Sequence, residues 1–476
     1  MILRSFLQRN LEVFKKGLTS PKKFAAKPLE KIHFQGGFQM NEYPNIIKER
    51  LSALIRELSA SPELFVKNPG KDFTRDRKLP FETVVNLLIS MGGNSIYKEL
   101  LESQGYDMNT ATTSAFVQQR DKILPCAFEF LLHEFTESYV DLKKYRGFRL
   151  LATDGSELHI ATNPFDSDTF YQKKPDKKGY NLLHLNAMYD LCNRLYVDAL
   201  IQPKRCMGES EALTDMVQRS HIKDSVIVIA DRAYESYNNF AHIEKKGWNY
   251  LIRVKDSTNG GILSGLRLPT TDEFDVTIQR ILTRKQTNEV KAHPEIYKRL
   301  AGGSPFDFLD SYTNMFYPML LRIVRFKISC DSYETVITNL SPSDFPPQEL
   351  KQLYNMRWGI ETSFRELKYA VGLTRFHSKK RERIAQEIFA RIIMYNFSEM
   401  ITSYVVISQT DTKHAYQVNF TVAIHICRHF LRLWRNAPPP DVEALIRKNI
   451  LPVRPGRRDI RKICPRTVVS FIYRVA

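Results

Sequence analysis

The sequence predicts a mixed α/β protein in three parts: a helical N-terminal region, a mixed-sheet core carrying a β-rich insertion, and a helical, strongly basic C-terminal region. Three observations lead there. Residues 46–145 show helical periodicity. From Arg146 the period shortens, and apolar runs alternate with helical stretches in the order β-β-β-α-β-α-β. The net charge is +18, from 70 Lys+Arg against 52 Asp+Glu, and it is unevenly spread.

Residues 1–32 hold 8 basic and 2 acidic side chains, residues 351–383 hold 9 and 3, and residues 451–476 hold 7 and 1. Each stretch is therefore +6, and the remaining sequence is neutral on balance. Clustered charge of one sign points to a polyanionic partner, nucleic acid or an anionic membrane surface. The membrane option is weak, because no run of about 18 apolar residues exists. The most apolar helical stretch, 388–407, is interrupted by Arg391, Asn396 and Glu399. The first turns of the chain carry Arg4, Arg9, Lys15 and Lys16 and lack the apolar core of a signal peptide. Six cysteines, far apart and without a C-x-x-C pair, argue against a disulfide framework or a zinc module and fit a reducing cytoplasm. With 43% hydrophobic residues, wholesale disorder is excluded.

Taken in order, residues 1–45 are basic, broken by Pro21 and Pro28, and read as an arm. In the helical region 46–145, Pro80 opens a helix through Ser90 and a second runs over 95–103 until Gly105. A third spans about 110–124, and Pro125 starts a fourth. The third carries Thr112, Thr113, Gln118, Gln119 and Arg120, and with the second it is compatible with a helix-turn-helix, although many helical bundles contain such a pair. Residues 148–153 form a short strand ending in a turn at Asp154-Gly155. Strands over 180–189 and 195–202 are joined by a hairpin, and 209–220 is a helix. The continuous run 225–230 has the β-branched content of a strand buried on both faces and stops at Asp231. A helix over 235–246 leads to a strand over 249–254, which completes the first part of the core, 146–255. Residues 256–345 read as a β-rich insertion. In 346–408 a long helix after Pro346-Pro347 runs to about Tyr369, and a second spans 382–407. Residues 409–476 form the C-terminal basic region.

Asp154 and Asp231 each end an apolar strand. A bare carboxylate there is costly unless it is neutralised, and oxygen ligands of this kind suit Mg²⁺ or Mn²⁺. Either one alone reads as a turn cap. The helix after Pro347 changes the balance: at about 100° per residue, Tyr354, Arg357, Glu361 and Lys368 share a stripe roughly 60° wide. That stripe joins one carboxylate to two phosphate-binding cations and a phenol. The alternative is an exposed face laced with intrahelical ion pairs, which does not account for the tyrosine.

The spacing Y-x2-R-x3-E-x6-K from Tyr354 to Lys368 resembles the signature of DDE transposases of bacterial insertion sequences, in the insertion-sequence-four group. Asp154-Gly155 and Asp231-Arg232 are similar to that group's two other signature blocks, in the same order, and the resemblance covers roughly residues 146–400. It implies a ribonuclease-H-like core interrupted before the Glu-bearing helix. The 130 residues from Asp231 to Glu361, against 77 from Asp154 to Asp231, leave room for that interruption.

The resemblance further implies Asp154, Asp231 and Glu361 as catalytic metal ligands for two Mg²⁺ ions about 4 Å apart, with Mn²⁺ as a substitute. Tyr354, Arg357 and Lys368 would hold phosphates near the transposon end. Arg365, Lys379, Lys380, Arg457 and Arg458 would extend that surface along double-stranded DNA. The expected activity is cleavage and strand transfer at terminal inverted repeats, cut-and-paste, some members passing through a hairpin. The expected state is a homodimer on transposon-end and target DNA, in the bacterial cytoplasm at the nucleoid. A hairpin route needs an aromatic platform for an unpaired base; Trp248, Trp358, Phe316 and Tyr317 are the candidates. His159 and His184 read as structural or phosphate-contacting, and Glu157, Asp190 and Asp198 are rival carboxylates on or beside the same strands. Two other readings stay open: a ribonuclease-H-like DNA endonuclease without strand transfer, and an inactive transposase-derived DNA-binding regulator.

Overall fold

The computed structural model describes residues 41–139, 142–405, 415–433 and 438–453, apart from positions 173, 175, 177, 207, 257–260, 311, 313 and 331. The basic arm up to residue 40, and the tail with Arg457 and Arg458, lie outside the described residues. Contacts divide the chain into two compact units, one holding residues up to 141 with 380–454, the other residues 142–379.

The first unit begins with α1 (Glu42–Ala60), α2 (Phe81–Ser90), α3 (Ile96–Ser103), α4 (Thr113–Arg120) and α5 (Cys126–Glu137). Thr112 caps α4 by accepting from the Ala115 N–H, the usual device for satisfying a first-turn donor. Gln119 and Arg120, two of the polar residues that made this helix compatible with a helix-turn-helix, are buried. Arg120 is ion-paired 2.9 Å from Glu387 inside the unit, so α4 spends these side chains on packing.

The second unit is a mixed sheet with helices on it. Its elements are β1 (Arg149–Ile160), β2 (Phe170–Tyr171), β3 (Tyr180–Asp190), β4 (Leu195–Pro203), α6 (Glu209–Arg219), β5 (Val226–Ala230), α7 (Tyr237–Lys245) and β6 (Asn249–Val254). Then come β7 (Phe274–Thr283), α8 (Asn288–Ala292), β8 (Tyr297–Arg299), β9 (Phe316–Ser329), β10 (Ser332–Thr338), α9 (Pro347–Met356) and α10 (Trp358–Glu366). Strands β4, β3 and β1 are antiparallel, and β1, β5 and β6 are parallel, which is the ribonuclease-H-like arrangement. β10, β9, β7 and β8 continue the same sheet beyond β6.

Both faces of its centre are covered. Leu151, Val228 and Ile252 pack under α6 and α7. Leu150, Ile227, Ile229 and Leu251 pack with Leu350, Leu353 and Tyr354 of α9. This two-sided burial explains why Val226–Ala230 has no polar residue.

Two sequence expectations are corrected. β1 does not stop at Thr153 but runs on to Ile160, because β3 pairs with it along that whole length while β5 pairs only as far as Thr153. Asp154-Gly155 is therefore strand, not turn. The long helix is also not uniform: it breaks at Arg357 between α9 and α10 and ends in a π-helical turn, Leu367–Val371.

The first unit is completed by α11 (Arg381–Thr402), β11 (Tyr416–Val418), α12 (Phe420–Arg432), α13 (Val442–Lys448) and β12 (Ile450–Pro452). Nearly every position of α11 from Gln386 onward is buried, including Glu387, Arg391, Asn396 and Glu399. It is the central helix of its unit, and its polar groups are satisfied inside: Arg391 donates to the Met91 carbonyl at 2.6 Å and Asn396 to Thr136 at 3.0 Å. No helix among the described residues is long and apolar enough to cross a membrane.

Candidate active site

Strand parity sets the site. Side chains alternate along a strand, so Asp154 shares the face of Leu150, and Asp231, just past β5, shares the face of Ile227 and Ile229. That is the face covered by α9. The parallel register sets Thr153 opposite Ala230, which brings Asp154 and Asp231 to adjacent positions where the two-sided pairing of β1 ends. Asp231 accepts from the Ala233 N–H at 2.8 Å, capping a short 3₁₀ turn. Asp154 accepts from the Gly155 N–H at 2.8 Å.

The helix carrying Glu361 is seated by three contacts. Tyr196 of β4 and Ser363 of α10 share a hydrogen bond of 2.8 Å. Arg194 reaches Glu366 at 3.3 Å. Gly359 lets the helix approach the β3–β4 hairpin so closely that a Cβ there would sit 2.9 Å from Leu191. Arg357 is buried and pairs with Glu361 at 3.0 Å, one turn along. Lys368, in the π-helical turn, donates to the Glu157 carbonyl of β1 at 3.1 Å. π-turns recur where a helix must re-aim a side chain.

Burial raises the Asp154 carboxyl to about 6. The Gly155 N–H works against that rise; nearby Asp231 adds to it, Arg357 opposes it and Glu361 adds to it again. Burial likewise raises the Tyr354 phenol. The rival carboxylates differ in being neutralised. Asp190 is bound by Arg149 at 2.9 Å, Asp198 by Arg219 at 2.8 Å, and Glu157 by Lys204.

On the face of the two aspartates, the Tyr354 OH and Arg357 Nε are buried without hydrogen-bond partners; Thr153 Oγ1, Asn186 Oδ1 and Tyr234 OH are likewise unpartnered, on the opposite face of the sheet. Such groups are costly to leave unpaired and normally meet a ligand, an ion or water. The carboxylate donors are all oxygen, the choice of a hard divalent cation, and the orphaned Tyr354 hydroxyl and Arg357 N–H fit a polar occupant on the same face. Among the described residues no three His, Cys, Asp or Glu side chains converge closely enough to hold an ion as they stand; Glu361 is engaged by Arg357.

Three neighbours of these groups were not legible as such in the sequence. His184 of β3 stands 3.2 Å from Glu209, and a Cβ at Gly155 would lie 2.3 Å from His184 Nε2 and 2.8 Å from Glu209 Oε1. Gly155 is thus required by packing on the sheet face opposite Asp154, and its place beside Asp154 is the signal that leads to both. Tyr234, three residues after Asp231, has its hydroxyl in the field of Glu209, Asp154 and Asp231.

Of the remaining expected residues, Arg365 and Lys379 are exposed. Lys380 belongs to the helical unit and lies 3.8 Å from Asp121. Trp248 is core and Tyr317 packs against it. Phe316 and Trp358 are exposed, Trp358 with the Arg357 guanidinium 5.0 Å from its ring.

A family model described as a transposase DDE domain matches residues 145–397, more than half of the chain. The chain belongs to the DDE transposase family. It is 29% identical over 108 residues to transposase InsG for insertion sequence element IS4 of Escherichia coli (strain K12), covering 22% of this chain and 24% of that one. The match thus spans about a quarter of that relative's length. A cryo-EM structure of a piggyBac transposase synaptic complex with hairpin DNA aligns over 87% of each chain, at 12% identity and a TM-score of 0.37. DDE transposases use divalent metal ions, in keeping with the carboxylate oxygen donors.

Proposed function

We propose that this DDE transposase binds the terminal inverted repeats of its own insertion sequence and cuts and rejoins DNA strands at one centre made by Asp154, Asp231 and Glu361. The observation that carries the reading is the adjacency of two aspartates, one within β1 and one just past β5, neither bound by a cation, on the face that Arg357 and Glu361 occupy. Mg²⁺, with Mn²⁺ as a substitute, would be held by those three carboxylates and would supply the Lewis acidity that phosphodiester transfer needs.

The chain's own residues do the rest. Arg357 holds Glu361 while no phosphate is bound. Its fork of donors matches a phosphate oxygen pair, so DNA entering the site competes for it. The Tyr354 hydroxyl, buried and without a partner, would meet the same phosphate. Lys368 adds a point charge further along β1, and Arg365 and Lys379 lie exposed for the backbone beyond. One centre serves both water and a freed 3′-hydroxyl as nucleophile, so excision by cut-and-paste needs no second site. Hairpin formation at the element end is the intramolecular version of the same attack. Pairing of two ends calls for a homodimer on DNA.

The test supplies a pre-nicked repeat end with a free 3′-hydroxyl, a supercoiled target and Mg²⁺. Covalent joining of end to target is expected. Cleavage of intact repeats with no joining of nicked ones would make the protein an endonuclease.

A further inference from the structure

The helical unit contains a cleft of about 420 Å³ between the 70–79 loop and the end of α4. That is far more than a single water needs and leaves room for a backbone phosphate with its hydration. Four cations line it, Lys71, Arg75, Arg77 and Lys122, together with Phe73 and Gln119, and no carboxylate does.

The loop is built rather than loose. Lys67 donates to the Lys122 carbonyl at 2.8 Å and Leu124 to the Phe65 carbonyl at 2.8 Å, zipping it to the chain after α4. Gly70, at φ +75, turns it. Phe73 takes φ +60, a conformation rare for a bulky residue, and its ring packs edge-on to Phe81 at 5.4 Å. The Lys122 ammonium sits 5.4 Å over the same ring and donates to Gln119 at 3.0 Å.

The disposition of the loop's acids is the second observation. The sequence interleaves Asp72 and Asp76 with the cations, so the segment is not conspicuously charged. In the fold Asp72 is buried and accepts from the Asn68 backbone and side chain at 3.0 and 3.1 Å, which removes it from the cleft. Close by, Lys67, Lys380 and Arg383 all lie within ion-pair distance of Asp121, and Lys67 also pairs with Glu382 at 2.6 Å. Among the described residues Lys71, Arg75, Arg77 and Lys122 have no such acid within ion-pair distance. Like charges gathered around a concave wall are unfavourable by themselves and are relieved by a bound anion.

We infer that this cleft is a docking site for the phosphodiester backbone of duplex DNA, separate from the catalytic centre and independent of base sequence. The inference rests on the reading of the protein as one that works on DNA. Its occupant follows from charge: a repeating anion satisfies four cations at once, and Arg120, the only cation of α4, is buried.

The test compares the full-length protein with Arg75→Ala/Arg77→Ala, measuring affinity by fluorescence polarisation over a salt series. Two duplexes are used, one with the terminal repeat and one of unrelated sequence. Both arginines are exposed, and unchanged thermal unfolding checks the fold. Each lost phosphate contact lowers the slope of log affinity against log salt by about 0.9, so a slope smaller by about 2 and a loss of about tenfold at 0.15 M salt are expected. The loss should be equal on both duplexes. An unchanged slope overturns the inference, and so does a loss confined to the repeat duplex, which would make the cleft a base reader. Failure of the wild type to bind either duplex overturns the DNA reading itself.

Discussion

Replacing Asp154 by Asn removes a charge that the fold pays to keep, and the size of the effect follows from its pKa. Folded, the carboxyl titrates at about 6; unfolded, it returns to the ordinary 3.8. Between those values the folded chain binds the extra proton, so stability falls as pH rises through the window and the full cost is reached above about pH 6. At 1.36 kcal/mol per pH unit the cost is about 3 kcal/mol as an upper bound. Asn keeps the oxygen that accepts from the Gly155 N–H and carries no charge. In EDTA at pH 8 the variant should therefore melt higher, by about 5–10 °C for a unit of this size. The gain should shrink below pH 5 and vanish near pH 4. Differential scanning calorimetry across pH, with and without 5 mM-scale Mg²⁺ (roughly, an excess chosen to saturate a weak site), makes the measurement. Mg²⁺ should raise the wild type at pH 8 and leave the variant nearly unmoved. A variant no more stable than wild type at pH 8, or equally ahead at pH 4 and 8, would show that the buried Asp154 charge does not cost stability.

Other outcomes follow from single contacts. Tyr354→Phe removes a hydroxyl that has no partner, so chemical denaturation should show stability within about 1 kcal/mol of wild type; DNA cleavage should fall about tenfold, the scale of one lost hydrogen bond to phosphate. Gly155→Ala forces a methyl onto His184 and Glu209 and should cost about 1–3 kcal/mol in unfolding experiments, with recovery in Gly155→Ala/His184→Ala. Glu387→Gln leaves the Arg120 guanidinium buried without its counter-charge and should destabilise the helical unit by about 3–5 kcal/mol, read as an earlier separate transition in calorimetry.

The core was legible because its signals are periodic. Val226–Ala230 reads as a two-face strand from composition alone, and its end at Asp231 is the end in the fold. The signature helix could be placed by its spacing, since Arg357 and Glu361 one turn apart must meet. What escaped was set by partners distant in sequence. Asp154-Gly155 looks like a turn until β3 is known to pair beyond it, and the glycine's purpose appears only when His184 arrives from that strand. Asp198, awkward in an apolar run, is explained by Arg219 on α6. The pairing of Arg120 with Glu387 was not legible because sequence cannot say which face of a short polar helix is buried. The π-helical turn at Lys368 leaves no mark in the spacing.

In the proposed function Asp154, Asp231 and Glu361 act as one DNA-cutting centre. The most direct measurement incubates end-labelled terminal-repeat duplex with Mg²⁺ and either wild type or each of Asp154→Ala, Asp231→Ala and Glu361→Ala, with binding followed on the same DNA. The account predicts nicking at the repeat boundary by wild type, and its loss by at least a hundredfold in every variant while binding persists, the scale on which one member of a catalytic unit acts. Nicking that survives in any one variant, or that proceeds equally in EDTA, would contradict it.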